Sequence, residues 1–111
     1  MDFDTYQVLA YRTASMPGTL LGSCERVMGV AGEAGEVADY LKKVLCHGHR
    51  LDKERLAKEL GDVLWYVASV AEDHGLHLSE IARFNIEKLE ARYPEKCFSS
   101  ERSVNRREND T

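Results

Sequence analysis

Two short segments, EAGEV at residues 33–37 and ELGDV at residues 59–63, decide how this chain folds. Each segment places two carboxylates three residues apart, with a glycine just before the second carboxylate and a valine just after it. Side chains three residues apart lie on the same face of an α-helix. We therefore expect each segment to present a pair of carboxylates in one direction.

Apolar residues recur on both sides of these segments at steps of three and four residues, which is the pattern of an amphipathic helix. Asp52 is a good N-cap for the second of two long helices, and Gly48 suits the turn before it. The predicted helices are, in chain order, 4–14, 23–46, 52–73 and 79–93. No pattern of a β-hairpin occurs, so the predicted fold class is all-α, a bundle of four helices.

The composition is that of a globular domain in the cytoplasm. The chain has 111 residues, of which 43% are hydrophobic, and a formal net charge of −4, which does not favour nucleic acid or an anionic membrane as a partner. No apolar stretch approaches the roughly 20 residues that span a bilayer. Three widely spaced cysteines without a recognisable leader fit a reducing compartment.

The last part of the chain differs from the rest. Residues 1–94 are predicted to form one domain that ends at Pro94. Residues 95–111 are polar and show no periodicity. We expect this tail to be extended or partly disordered.

The two carboxylate pairs are predicted to face each other. At about 100° per residue, Glu33 and Glu36 lie on one shoulder of their apolar stripe, and Glu59 and Asp62 lie on the same shoulder of theirs. A short connection favours antiparallel packing, which would bring the pairs together. Four carboxylates in one place repel one another unless a cation compensates, and oxygen ligands favour Mg²⁺ or Mn²⁺ over zinc.

The glycines of the two segments support the same interpretation. Glycine inside a helix costs roughly 1 kcal/mol relative to alanine. Gly35 and Gly61 occupy equivalent places in the two segments. Either a close approach of the helices or room for a ligand would offset that cost.

Two other interpretations of the polar residues compete with a metal site. Single Glu-x-x-Glu pairs are ordinarily solvated helix faces, but two matched pairs with matched glycines are harder to explain in that way. The histidines in CHGH at 46–49 and at His74 and His77 suggest zinc, yet no second cysteine pair supports such a site.

At these residues the chain resembles the MazG-like, all-α nucleoside triphosphate pyrophosphohydrolases. The resemblance covers about residues 5–93, and three segments carry it. They are GEAGEV at 32–37, KELGDVLWYV at 58–67 and the spaced Asn, Lys, Leu, Arg, Tyr and Pro between 85 and 94.

The resemblance implies Mg²⁺-dependent hydrolysis of a (d)NTP to the (d)NMP and pyrophosphate. Glu33, Glu36, Glu59 and Asp62 would be the metal ligands. Either Glu36 or Glu33 would take the proton of the attacking water, and the sequence does not distinguish between them. The implied role is removal of non-standard or surplus nucleotides.

Residues later in the chain are the candidates for binding substrate. Asn85, Lys88 and Arg92 share a helix face and would meet the phosphates, with a solvated surface as the alternative. Tyr66 lies one turn after Asp62 and would stack on the base, with core packing as an equal alternative. Trp65 points about 100° away and is predicted to pack or to form an oligomer contact.

The expected assembly is a homodimer or a dimer of dimers, because a layer of two helices is thin and needs a second subunit to wall its pocket. The alternative function is a non-catalytic helical module that self-associates or senses nucleotides. Such a module would tolerate loss of the carboxylates, whereas the enzyme would not.

Overall fold

The computed structural model describes residues 1–106, and these are all-helical, with no strand among them. The helices are α1 (Phe3–Tyr11), α2 (Leu20–His47), α3 (Lys53–Asp73), α4 (Leu78–Arg92) and α5 (Ser100–Val104). The all-α prediction and its four main helices are confirmed.

Short polar side chains set the helix ends. Asp52 accepts hydrogen bonds from the backbone of Glu54 and Arg55, as an N-cap does, and Gly48 ends α2 with a φ of 74°. Both agree with the sequence pattern. Helix α2 begins three residues earlier than predicted, because the Thr19 side chain accepts from the Gly22 amide at 3.1 Å.

Ser79 was predicted to start α4, but its side chain serves a tertiary contact instead. Its amide and hydroxyl both donate to the Asp4 carboxylate, at 3.1 and 2.7 Å. Helix α4 therefore starts one residue earlier, at Leu78, whose amide donates to the Gln7 side chain at 2.7 Å. These bonds join the start of α4 to α1.

Helices α2 and α3 form an antiparallel hairpin, which is the centre of the fold. A buried ion pair joins its open end: the Arg26 Nε and Nη2 donate to the two oxygens of Asp73, at 2.5 and 2.9 Å. The side chains are only 2% and 6% exposed. Near the connection, the Asp52 amide donates to the Tyr40 hydroxyl at 2.8 Å.

Further hydrogen bonds tie the Arg26–Asp73 pair to its surroundings. The Arg26 Nη1 donates to the Ser15 carbonyl at 2.7 Å, and the Tyr11 hydroxyl donates to Asp73 at 2.5 Å. The hydrogen bonds from Arg26 lower the pKa of Asp73, and the one from Tyr11 lowers it further. A buried charge is tolerated when it is paired and its hydrogen bonds are satisfied, whereas a buried charge without a partner strongly destabilises the folded protein.

Helix α1 covers one side of the hairpin. The Trp65 indole donates to the Ala10 carbonyl at 2.9 Å, so the half-buried Trp65 packs against α1, the first of its two predicted alternatives. Gln7, 3% exposed, donates to Glu72 and to the Leu76 carbonyl, both at 2.8 Å. A single buried amide thus links α1 to the end of α3 and the loop beyond it.

The hydrophobic core of the chain is small. Within residues 1–106 the buried hydrophobic residues are Ala10, Tyr40, Ala68, Ala71 and Leu78. The radius of gyration is 17.0 Å, against about 13 Å expected for a compact domain of this length. One chain therefore buries little of its apolar surface.

The tail is partly helical, so the expectation of an extended tail is wrong for residues 100–104. Ser99 caps α5 by accepting from the Arg102 amide, and Arg102 pairs with Glu95 at 2.9 Å. Local capping and one ion pair stabilise this helix. Neither produces an apolar periodicity in the sequence, so the sequence pattern did not predict it. Residues 107–111 lie outside the described part, and a domain boundary at Pro94 stays a prediction.

The hairpin geometry predicts opposite effects for two alanine substitutions on α2. A Cβ at Gly29 would lie 2.1 Å from the Tyr66 ring, whereas a Cβ at Gly32 would meet nothing within 4 Å. Gly29→Ala should destabilise the protein by about 1–3 kcal/mol through overpacking. Gly32→Ala should stabilise it by about 1 kcal/mol, since alanine is the better helix former.

Urea denaturation of both variants measures these changes. Equal stabilities of the two variants would contradict the close approach of α2 and α3 at Gly29.

Candidate metal centre

Helices α2 and α3 bring three of the four predicted carboxylates together. One oxygen from each of Glu33, Glu59 and Asp62 lies within 4.8 Å of the others. Glu33 and Glu59 are half-buried and Asp62 is exposed. The group lies between the Arg26–Asp73 pair and the Tyr40–Asp52 contact.

The spacing of these oxygens fits a small divalent cation after modest side-chain movement. Opposite ligands of an octahedral Mg²⁺ are about 4.1 Å apart, twice the metal–oxygen distance. The separations within the group are at most 4.8 Å. Carboxylate oxygens are the ligands that Mg²⁺ and Mn²⁺ take.

Burial and the neighbouring charges both disfavour the charged form of Glu33. Burial raises the pKa of Glu33, and the charges of Asp62, Glu36 and Glu59 raise it further. A nearby cation would reverse the effect of those charges.

Glu36 is not part of the group, although its charge reaches Glu33. It lies almost one turn further along α2 and is exposed. The structure thus separates the first acidic pair into one member that faces α3 and one that is open to solvent.

The glycines of the acidic segments do not mediate close helix packing, which excludes the first of the two alternatives for them. A Cβ at Gly35 or at Gly61 would meet nothing within 4 Å. The close approach lies at Gly29 instead, where the Tyr66 ring covers the glycine. Gly35 and Gly61 are exposed, and room for a ligand beside them stays a prediction.

Tyr66 lies between the two long helices. Its ring packs on Gly29 and meets the Trp65 ring edge to face, with centroids 4.9 Å apart. The contact is that of a packing residue. Stacking of Tyr66 on a base stays a prediction.

The predicted phosphate contacts lie on α4. Asn85 is exposed, Lys88 and Arg92 are half-buried, and the Arg92 guanidinium lies 6.0 Å from the centre of the Tyr93 ring. Helix α4 packs mainly on α1 and not on the hairpin. Their contact with phosphate stays a prediction.

Two features of the site were missed in the sequence. Tyr6 on α1 lies close enough to Asp62 that this charge, after burial, raises the pKa of Tyr6. Arg26, with Asp73 and Tyr11, forms the buried network beside the site. A signal for Arg26 existed, because it is a charged residue seven positions before Glu33 on the same helix face.

Comparison with known proteins adds two findings. The family model of the MazG nucleotide pyrophosphohydrolase domain matches residues 25–97. The chain is 38% identical over 103 residues to Gene 37 protein of Mycobacterium phage L5, a match that covers 83% of this chain and 89% of the phage protein. No solved structure matches the chain significantly. Of the helices within residues 1–106, none combines the length and the hydropathy of a membrane-spanning segment.

Crowding of the carboxylates predicts that Glu33→Gln has opposite effects with and without metal. In chelator, the variant should melt at a higher temperature than the wild type, because a repelling charge is gone. With Mg²⁺, its rise in melting temperature should be smaller than the wild-type rise, because a ligand is gone.

Glu90→Gln, an exposed change on α4, is the matched control and should leave both temperatures unaltered. Calorimetry in EDTA and in Mg²⁺ makes the comparison. An equal Mg²⁺ response in Glu33→Gln and the wild type would contradict the metal centre.

Proposed function

The chain belongs to the MazG nucleotide pyrophosphohydrolase family, and from that premise we propose that it hydrolyses a (d)NTP to the (d)NMP and pyrophosphate with Mg²⁺. The observation that carries the proposal is the convergence of Glu33, Glu59 and Asp62 from two helices. Mn²⁺ would substitute, because it takes the same oxygen ligands. The role is removal of non-standard or surplus nucleotides in the cytoplasm.

The proposed roles of the four carboxylates follow from their positions. Glu33, Glu59 and Asp62 hold the cation, and Glu36 stays outside their group. When bound, Mg²⁺ offsets the charge of the triphosphate and makes a neighbouring water more acidic. Glu36, exposed and close by, takes the proton of the attacking water as general base.

The bond changes follow from the products. The water oxygen forms a bond to the α-phosphorus, and the bond from that phosphorus to the bridging oxygen of the β-phosphate breaks. Pyrophosphate leaves with the bonding electrons. Asn85, Lys88 and Arg92 contact the phosphates, and Tyr66 borders the base.

Self-association is part of the proposal, because the hairpin exposes an apolar side. On α2, Val27 and Leu45 are 51% and 80% exposed, and on α3, Leu60 and Leu64 are 50% and 37% exposed. Around the axis of each helix, these residues lie about 100–140° from a carboxylate of the group, Glu33 on α2 and Glu59 on α3. The direction of rotation from the carboxylate to the apolar residues is the same in both helices.

Because the two helices are antiparallel, an equal rotation from the facing carboxylate points to the same side of the hairpin in both. The four side chains therefore share one surface. Helix α1 occupies the opposite side, through Trp65. A large exposed apolar patch on a small chain marks an interaction surface. A second copy that packs the same surface would complete a four-helix core, as a dimer or within a tetramer.

The proposed reaction predicts release of pyrophosphate from a panel of standard and modified NTPs and dNTPs in Mg²⁺, and none in EDTA. Glu59→Gln should reduce turnover by at least 100-fold, since it removes a metal ligand, about 3 kcal/mol in the barrier. Glu90→Gln should retain activity.

Chromatographic identification of the products distinguishes the outcomes. Nucleoside diphosphate with free phosphate would overturn the assignment of the bond. No turnover of any nucleotide, with no Mg²⁺ effect on melting, would favour the non-catalytic module.

The apolar surface predicts a dimer or larger assembly that Leu60→Lys disrupts. A charge buried in an apolar interface is strongly unfavourable. Lys58→Gln is the control, because Lys58 is 76% exposed and lies about 160° from Leu60 around α3. Sedimentation velocity should show a smaller species for Leu60→Lys alone, and a monomeric wild type would contradict the proposal.

A further inference from the structure

The carboxylate group depends on the register of two helices. Glu33 comes from α2, and Glu59 and Asp62 come from α3. A slip of one turn would shift one helix past the other by about 5.4 Å. That shift exceeds the 4.8 Å within which the three oxygens lie, so a single slip would break the group.

The group itself opposes the register that brings it together. Three carboxylates within this distance repel one another when no cation is bound. Contacts elsewhere on the hairpin must therefore hold α2 and α3 in place. Tyr40 and Asp52 do so near the connection, where the chain itself already limits movement.

At the open end, Arg26 and Asp73 join α2 to α3. Arg26 lies seven residues, about two turns, before Glu33 on the same face of α2. Its planar fork donates to both oxygens of Asp73, and its third nitrogen donates to the Ser15 carbonyl. A bidentate pair of this kind has a narrow geometry that a lysine does not reproduce.

We propose that Arg26 is a positioning residue for the metal centre, because its bidentate pair with Asp73 sets the register of α2 on α3 and so the separation of Glu33 from Glu59 and Asp62. This inference rests on the proposed function. Arg26 itself does not touch the metal or the nucleotide.

The test compares Arg26→Met and Arg26→Lys with Leu78→Ala. Leu78 is buried, 5% exposed, at the start of α4, away from the hairpin register. Leu78→Ala therefore measures what loss of stability alone does to the site. Each protein is studied well below its melting temperature, so that the folded fraction is the same.

Two quantities are measured on each variant. The first is the affinity for Mn²⁺, from the electron paramagnetic resonance of the free ion. The second needs no metal: the proton chemical shifts of Gly29, which the Tyr66 ring displaces because it lies against that glycine. Gly29 lies three residues, almost one turn, after Arg26 on α2, so its shifts report the register of α2 on α3 next to the Arg26–Asp73 pair.

The expected result is at least tenfold weaker Mn²⁺ binding in Arg26→Met, with the Gly29 shifts moved toward ordinary values. Arg26→Lys should be intermediate, and Leu78→Ala should match the wild type in both quantities. Wild-type affinity in Arg26→Met, or an equal loss in Leu78→Ala, would overturn the proposal.

Failure of the proposed function has a different signature. If the wild type binds no Mn²⁺, the metal centre is wrong. The Gly29 chemical shifts then test, independently of metal, whether Arg26 sets the register. Unchanged shifts in Arg26→Met and Arg26→Lys would overturn the role of Arg26.

Discussion

The antiparallel register of α2 on α3 is the constraint on which the rest of the structure depends. It places Arg26 against Asp73, Gly29 under Tyr66 and Glu33 beside Glu59 and Asp62. Two of these contacts attract and the third repels without a cation. The Arg26–Asp73 and Gly29–Tyr66 contacts therefore keep the three carboxylates together, although their mutual repulsion would separate them.

The thin core has the same origin. Two long helices in contact along one face bury a single seam, and α1 closes only one side of it. The seam between α2 and α3 contains the buried Arg26–Asp73 pair and Tyr66 over Gly29, and valines there, such as Val30 and Val67, are only half-buried. Apolar residues such as Leu60 and Leu64 lie on the remaining side, which is consistent with stability gained through a second copy.

Much of the helical structure could be predicted from the sequence, because apolar periodicity and capping are local. Asp52 caps the start of α3 and Gly48 caps the end of α2, as expected. The start of α4 was misplaced because Ser79 bonds to Asp4, 75 residues away, a contact that no local pattern contains. Helix α5 was missed because its cap and ion pair stabilise it without periodicity.

The candidate site was predictable to a similar degree. The common phase of the two acidic segments predicted that carboxylates from both helices converge, and those of Glu33, Glu59 and Asp62 do. Spacing alone did not show that Glu33 joins the group and that Glu36 does not. Two side chains three residues apart differ by only about 60° around the helix axis, so both could face α3. Nor did it show that the close helix contact lies at Gly29 and not at Gly35 or Gly61.

The most direct test of the metal centre is anomalous diffraction from crystals grown with Mn²⁺ and a non-hydrolysable nucleoside triphosphate analogue. The account predicts a manganese peak among the oxygens of Glu33, Glu59 and Asp62, with phosphate oxygens completing its coordination. A peak at the histidines near residue 47, or nucleotide bound without metal at these carboxylates, would contradict it.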